Sequence, residues 1–167
     1  MAVARGAHVA WVGMDQGAAV IERFYECFGQ RDAEGMAACY TDDVVFSDPA
    51  FGELHGERAR DMWRMLCRNG KDLQVVASDI TADGHTGRAH WEADYTLRGR
   101  KVHNVVAARF ELAGGLIARH SDSFDVAAWA GQAFGPVGSV LGHTPLLPFA
   151  LRRMANRQLD EFQRRRS

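Results

Sequence analysis

Four prolines and three cysteines in 167 residues, with no unbroken apolar run of the roughly 18 residues that would span a bilayer, set the first limits on this chain. Cys27, Cys39 and Cys67 are an odd set without close pairs, which argues against a disulfide framework or a zinc CxxC site. A reducing compartment, the cytoplasm, is the expected location. Excess charge is missing too. Lys plus Arg total 20 against 21 Asp plus Glu, a formal net charge of -1, so there is no basic surplus with which to neutralise a phosphate backbone. Neither nucleic acid nor a membrane is an expected partner. Residues 1–14 lack the layout of a signal peptide, and no repeat or low-complexity tract occurs. HxxxH, HExxH, GxGxxG, P-loop and GxSxG patterns are all absent, so no metal or cofactor is expected and serine-hydrolase chemistry loses ground.

What is present suits one globular domain with a real core: 47% of residues are hydrophobic and 10% aromatic. Across residues 16–29, Val20, Ile21, Phe24, Tyr25 and Phe28 recur at helical spacing behind Asp15, a suitable N-cap. Asp32 predicts a second short helix running to Tyr40, and Thr41-Asp42-Asp43 breaks it. Residues 44–47 form a β-prone run that stops at Asp48-Pro49, since proline supplies no ladder donor. Residues 57–68 place Met62, Trp63 and Leu66 on one helical stripe, with Arg60, Arg64 and Arg68 on another. The period then changes. Residues 73–82, 86–97, 102–113 and 116–124 predict four antiparallel strands joined by Gly-containing turns. From Val126 the chain turns helical, loosens from Gly135-Pro136 to Pro148, and ends in a basic helix over residues 149–166. Its Arg164-Arg165-Arg166 tail is expected to be solvated. The fold class is α+β: three N-terminal helices on a curved antiparallel sheet that leaves a pocket on its concave face, plus a helical C-terminal extension.

Strand alternation sorts residues between the two faces. Trp91, Ala93 and Tyr95 form an apolar set opposite His90, Glu92 and Asp94. Asn104, Val106, Ala108 and Phe110 alternate with His103, Val105, Ala107 and Arg109. Because the outer set keeps apolar members, a homodimer through Val105 and Ala107 is expected. On the last strand Phe124 draws His120 and Asp122 inward with it. A carboxylate among aromatic residues is costly unless paired or used. Two readings of His120 and Asp122 stand: a tunable acid and base, or two groups that merely satisfy each other. Asp48 is likewise either a base at a strand end or the initiator of an Asp-Pro turn. Trp63 and Trp91 either stack on a ligand or fill the core. His55, before Gly56-Glu57, reads as a ligand or as a residue leading into a helix.

Certain phrases carry a resemblance: Phe24-Tyr25 with Gln30-Arg31-Asp32, the run from Tyr40-Thr41-Asp42-Asp43 through Ser47-Asp48-Pro49, Leu54-His55-Gly56, Gly99-Arg100-Lys101, and Gly114-Gly115-Leu116-Ile117. Over residues 16–126 the chain resembles the nuclear transport factor 2-like superfamily, the cone-shaped fold of ketosteroid isomerase, limonene epoxide hydrolase and SnoaL-type polyketide cyclases. Residues 1–15 would then be an N-terminal segment, and residues 127–167 a helical C-terminal extension like that of some members. The resemblance places Asp48 where ketosteroid isomerase moves its proton. It also places Phe24, with Tyr25 one position away, and Ala108 where that enzyme has its oxyanion donors, which disfavours steroid isomerisation. Trp91, Tyr95, His120 and Asp122 fall at pocket-lining positions. Two functions follow as expectations. One is a cofactor-free isomerase, cyclase or epoxide hydrolase acting on a small hydrophobic molecule. Its catalytic groups would be Asp48, His120 and Asp122, its ligand contacts Phe24, Tyr25, Trp63, Trp91, Tyr95, Asn104 and Phe124. The other is a non-catalytic ligand-binding or dimerising module of the same fold.

Overall fold

The computed structural model describes residues 16–167. Asp15, the expected cap of the first helix, lies outside the described residues. Helix α1 (Gln16–Gly29) buries Ile21, Phe24, Tyr25 and Phe28 on one face, the stripe its spacing predicts. Helix α2 (Ala33–Ala38) begins where the Asp32 carboxylate accepts from the Gly35 N–H at 2.9 Å. It ends before Tyr40, and strand β1 (Tyr40–Asp48) takes that residue. The predicted break at Thr41-Asp42-Asp43 is therefore strand. Its cause is tertiary: the buried Arg60 guanidinium donates to the carbonyls of Thr41 (2.5 Å) and Asp42 (3.2 Å), satisfying backbone that leaves the regular ladder between Tyr40 and Val45.

A short strand β2 (Gly52–His55), absent from the sequence reading, folds back on β1, and helix α3 (Glu57–Asn69) follows. Strands β3 (Gln74–Ala82), β4 (Thr86–Leu97), β5 (Arg100–Ala113) and β6 (Leu116–Ser123) lie where alternation puts them. The six strands form one curved, unclosed sheet in the order β2-β1-β6-β5-β4-β3. The sheet is mixed: β1 runs parallel to β6, with Phe46 opposite His120 and Ser47 opposite Ser121. That long-range pairing decides the site, because one step further along both strands Asp48 and Asp122 become neighbours on the concave face.

Helices α4 (Val126–Phe134), α5 (Pro136–Leu141) and α6 (Leu146–Arg166) complete the chain. Helix α5 falls where the sequence reading has a loosened segment; Pro136 sits at its first turn, where the missing N–H has no intrahelical partner to lose. The α4–α5 contact depends on absent side chains. A Cβ on Gly138 would run into the Ala130 carbonyl, and one on Gly142 would come within 2.6 Å of Ala127 Cα. Gly138→Ala is expected to cost about 1–3 kcal/mol by forcing these backbones apart, read as a lowered denaturation midpoint. Gln132 of α4 covers the stretch of β5 that extends beyond β6. Its side-chain amide accepts from the His103 N–H (2.7 Å) and donates to the His103 carbonyl (2.9 Å), as a neighbouring strand would.

Helix α6 lies along α3 through a polar seam. Arg58 donates to Asp160 (2.7 Å), Gln163 (2.7 Å) and Asn156 (2.9 Å), and buried Asp61 accepts from Gln163 at 2.9 Å. Arg166 also reaches Asp61, and Arg165 pairs with Glu161. The cationic tail is thus partly docked on α3 rather than wholly solvated. No described helix is long and apolar enough to cross a membrane.

Candidate functional site

The concave face of the sheet, α3 and the C-terminal helices enclose a cavity of about 280 Å³. Its walls are mostly apolar. Phe46 and Trp91 come from the sheet, Trp63 and Met62 from α3, and Trp129, Phe134, Leu151 and Met154 from α4 and α6. Two carboxylates, Asp48 and Asp122, are set into this wall, together with Tyr95, Asn104 and Phe124.

Asp122 is the end of a buried chain of hydrogen bonds. An ionised carboxylate only accepts, so His120 Nε2 carries a proton and donates to Asp122 Oδ1 at 2.9 Å. In the neutral ring Nδ1 is then an acceptor, and the Tyr40 hydroxyl donates to it at 2.8 Å. Tyr40 Oη in turn accepts from Trp63 Nε1–H at 2.8 Å. Trp91 Nε1–H donates to Asp122 Oδ1 as well, at 3.4 Å. Every donor in the chain thereby has an acceptor, which fixes the tautomer from the network. His120 itself is 0% exposed. The rings of Phe24, Phe46 and Phe110 surround it at centroid distances of 5.3, 5.2 and 4.5 Å, and Trp63 stacks at 5.9 Å.

Asp48 performs the turn role and faces the cavity at once. Its Oδ1 accepts from the Phe51 N–H at 2.6 Å, closing the β1–β2 turn. Burial pushes its carboxyl up to about 7; the Phe51 N–H pulls it down and the Asp122 carboxylate pushes it up again. Two like charges side by side in an apolar wall cannot both ionise cheaply. The Tyr95 hydroxyl, raised by burial, accepts from Trp129 Nε1–H at 2.7 Å and keeps its own proton for another acceptor. Burial holds the thiols of Cys39 and Cys67 up at about 11, leaving no thiolate nucleophile there at neutral pH. Among the described residues no cluster of His, Cys, Asp or Glu side chains could hold a metal ion.

The cavity therefore brings together Asp48, Asp122, Trp63, Trp91, Tyr95, Asn104 and Phe124, and it does not include Phe24, Tyr25 or His120. Phe24 is 0% exposed, stacked on Tyr40 at 5.2 Å behind the wall. Tyr25 is buried with its hydroxyl unpartnered among the described residues, edge-on to Phe24 at 5.4 Å. Helical spacing shows that this stripe of α1 faces inward but cannot separate core from cavity. His120 meets any ligand only through Asp122. His55 is exposed and pairs with Glu53 at 2.8 Å. Tyr40 and Trp129 are the residues the sequence reading missed. The spacing after Asp32 predicts Tyr40 at the end of a helix, and nothing local to Trp129 signals that Tyr95, 34 positions earlier, is its partner.

Solved structures similar in fold include an LEH-like epoxide hydrolase from M. tuberculosis, 20% identical with a TM-score of 0.62, covering 77% of this chain and 97% of the other. A protein from Xanthomonas campestris described as a polyketide cyclase is 20% identical with a TM-score of 0.60, over 71% and 96% of the two chains. An NTF2-like protein of unknown function from Burkholderia pseudomallei is 18% identical with a TM-score of 0.64, over 72% and 99%. At these identities the likeness shows the fold alone. No curated protein matches the sequence. The SnoaL-like domain model matches residues 21–120, from α1 through the His120 that supports Asp122, and the chain belongs to that SnoaL-like family of the NTF2-like superfamily.

Proposed function

We propose that this chain binds a compact hydrophobic molecule in the cone and moves a proton on it with the Asp48–Asp122 pair. The observation that carries this is the placement of two carboxylates on adjacent strands in one apolar cavity, in unequal environments. Asp122, held by His120 and Trp91, is the base. Asp48, which keeps its proton to about pH 7, is the acid that protonates a developing oxygen. Tyr95 and Asn104 supply further donors to that oxygen. His120 and Tyr40 act through Asp122, fixing its orientation. Similarity to an epoxide hydrolase and to a protein described as a polyketide cyclase supports a reaction of the isomerase, cyclase or epoxide-hydrolase kind.

The test is a screen of ketone isomerisation, aldol-type cyclisation and epoxide hydrolysis, run with the wild type and Asp122→Asn. Turnover of at least one class is expected, with kcat/KM falling about a hundredfold or more in the variant. Turnover that survives Asp122→Asn would remove this carboxylate from the chemistry. Ligand binding without any turnover would instead favour the non-catalytic reading, which the pairing of His120 with Asp122 supports.

A second copy of the chain is the proposed partner for the outer sheet face. Val76 and Val105 are 69% and 53% exposed there. At one end of the face Arg88 stands opposite Arg109, beside an open groove of about 870 Å³ that shares no lining residue with the cavity. At the other end are Glu92 and Asp94, both exposed. A two-fold axis between two such sheets, running across the strands, sets each arginine pair against the partner's acidic pair. Light scattering is expected to give twice the 18.5 kDa chain mass, and Val105→Glu to halve it. A wild-type monomer at micromolar concentration would contradict this.

A further inference from the structure

The cavity wall has an imbalance that a neutral ligand would leave in place. It holds two carboxylates, and the only cationic side chain among its lining residues is Arg98, which is at the rim. That guanidinium lies 5.8 Å over the Phe134 ring and donates to Met154 Sδ at 3.8 Å, on the side of the C-terminal helices. The remaining charged groups near Asp48 are also committed elsewhere. From β6, His120 is spent on Asp122 and Tyr40. From α6, Arg152 donates to the Pro49 carbonyl at 3.4 Å and pulls the Asp48 carboxyl down from outside the cavity, a smaller effect than the burial that raises it. On β2, Glu53 and His55 pair with each other at the surface, and Arg60 of α3 serves the carbonyls of Thr41 and Asp42. Among the described residues, no Lys or Arg side chain forms an ion pair with either carboxylate inside the cavity.

Much of the rest of the wall is aromatic, the remainder chiefly aliphatic. Trp63, Trp91, Trp129, Phe46, Tyr95 and Phe124 all border the space, and the three indole N–H groups are already used by Tyr40, Asp122 and Tyr95. What these rings still offer a ligand is their π systems, which attract a cation, most strongly at Trp and in a desolvated site. Carboxylates for the charge and aromatic faces for the alkyl groups around it are the parts of an ammonium site. The volume of about 280 Å³ limits the occupant to a compact molecule.

We infer that the cavity takes a compact hydrophobic amine in its protonated form, with the ammonium seated between Asp48 and Asp122. This rests on the ligand-pocket reading above and names the chemical class of its occupant. With an amine bound, Asp48 serves the ammonium in place of its acid role, Asp122 remains the base, and Tyr95 and Asn104 are the donors left for a developing oxygen. Binding the cation favours ionised Asp48, so uptake of the amine expels the Asp48 proton over the range in which that group is still protonated.

The experiment is calorimetry of the full chain with cyclohexylmethylamine and with cyclohexylmethanol, probes of near-identical shape that differ in charge. At pH 8 the amine is expected to bind at least about tenfold more tightly than the alcohol. The ratio should shrink as the pH falls from 8 to 5.5, with a proton released on amine binding near pH 6.5 when buffers of different ionisation enthalpy are compared. Asp48→Asn should lower amine affinity about tenfold or more. Equal binding of the two probes at pH 8 would overturn the inference while leaving the ligand pocket intact. Binding of neither would overturn both the inference and the pocket.

Discussion

Asp48→Asn is expected to make the protein more stable at pH 8, by on the order of 4 kcal/mol, and to leave it about as stable as the wild type near pH 4. The sign follows from the direction of the shift. The Asp48 carboxyl ionises at about 7 in the folded chain against 3.8 when exposed, so between those values the folded state holds a proton that the unfolded state has lost. Stability from this group is fully present below 3.8 and is lost as the pH rises through 7. Asparagine keeps the oxygen that accepts from the Phe51 N–H and never ionises, so the variant escapes that loss. Thermal melts of both proteins across pH 4–8 check it: the two midpoints should coincide at the acid end and diverge upward in pH. A carboxylate whose removal stabilises the fold is what the proposed acid role of Asp48 predicts.

The opposite result is expected at His120. His120→Leu keeps roughly the volume but strands two buried groups, leaving Asp122 without the Nε2–H donor and Tyr40 without the Nδ1 acceptor. Removing one partner of a buried pair in this way costs about 3–5 kcal/mol. Tyr40→Phe removes the hydroxyl between Trp63 and His120 and leaves the Trp63 N–H and His120 Nδ1 without it, for about 1–3 kcal/mol. The double variant His120→Leu with Asp122→Leu should regain part of the loss, since no uncompensated charge remains. Urea denaturation of the single and double variants measures the coupling. Single and double losses that simply add would mean that the chain of hydrogen bonds does not act as a unit.

How far the molecule could be read from its residues depends on the range of the cause. Helices α1 and α3 and strands β3 to β6 carry their period within the segment, and the structure places them there within a few residues. Strand β1 does not. Asp42-Asp43 has poor strand propensity, and what supports the segment is Arg60, 18 and 19 positions from Asp42 and Thr41 in the chain. Strand β2 has four residues, too few to show a period. In the site, alternation turned Trp91, Tyr95 and Asp122 inward from local pattern alone. The pairing that brings Asp48 beside Asp122 spans 74 positions between Ser47 and Ser121 and leaves no local trace. Trp129 closes the cavity from a segment whose role no nearby residue announces.

The most direct measurement is a carbon-13 NMR titration of the aspartate side-chain carboxyls, in the wild type and in Asp122→Asn. Asp48 should titrate with a midpoint near 7, and the midpoint should fall when the neighbouring charge is removed. A midpoint near 4 that ignores Asp122→Asn would mean that Asp48 is a solvated turn residue and that the two carboxylates do not share one apolar site.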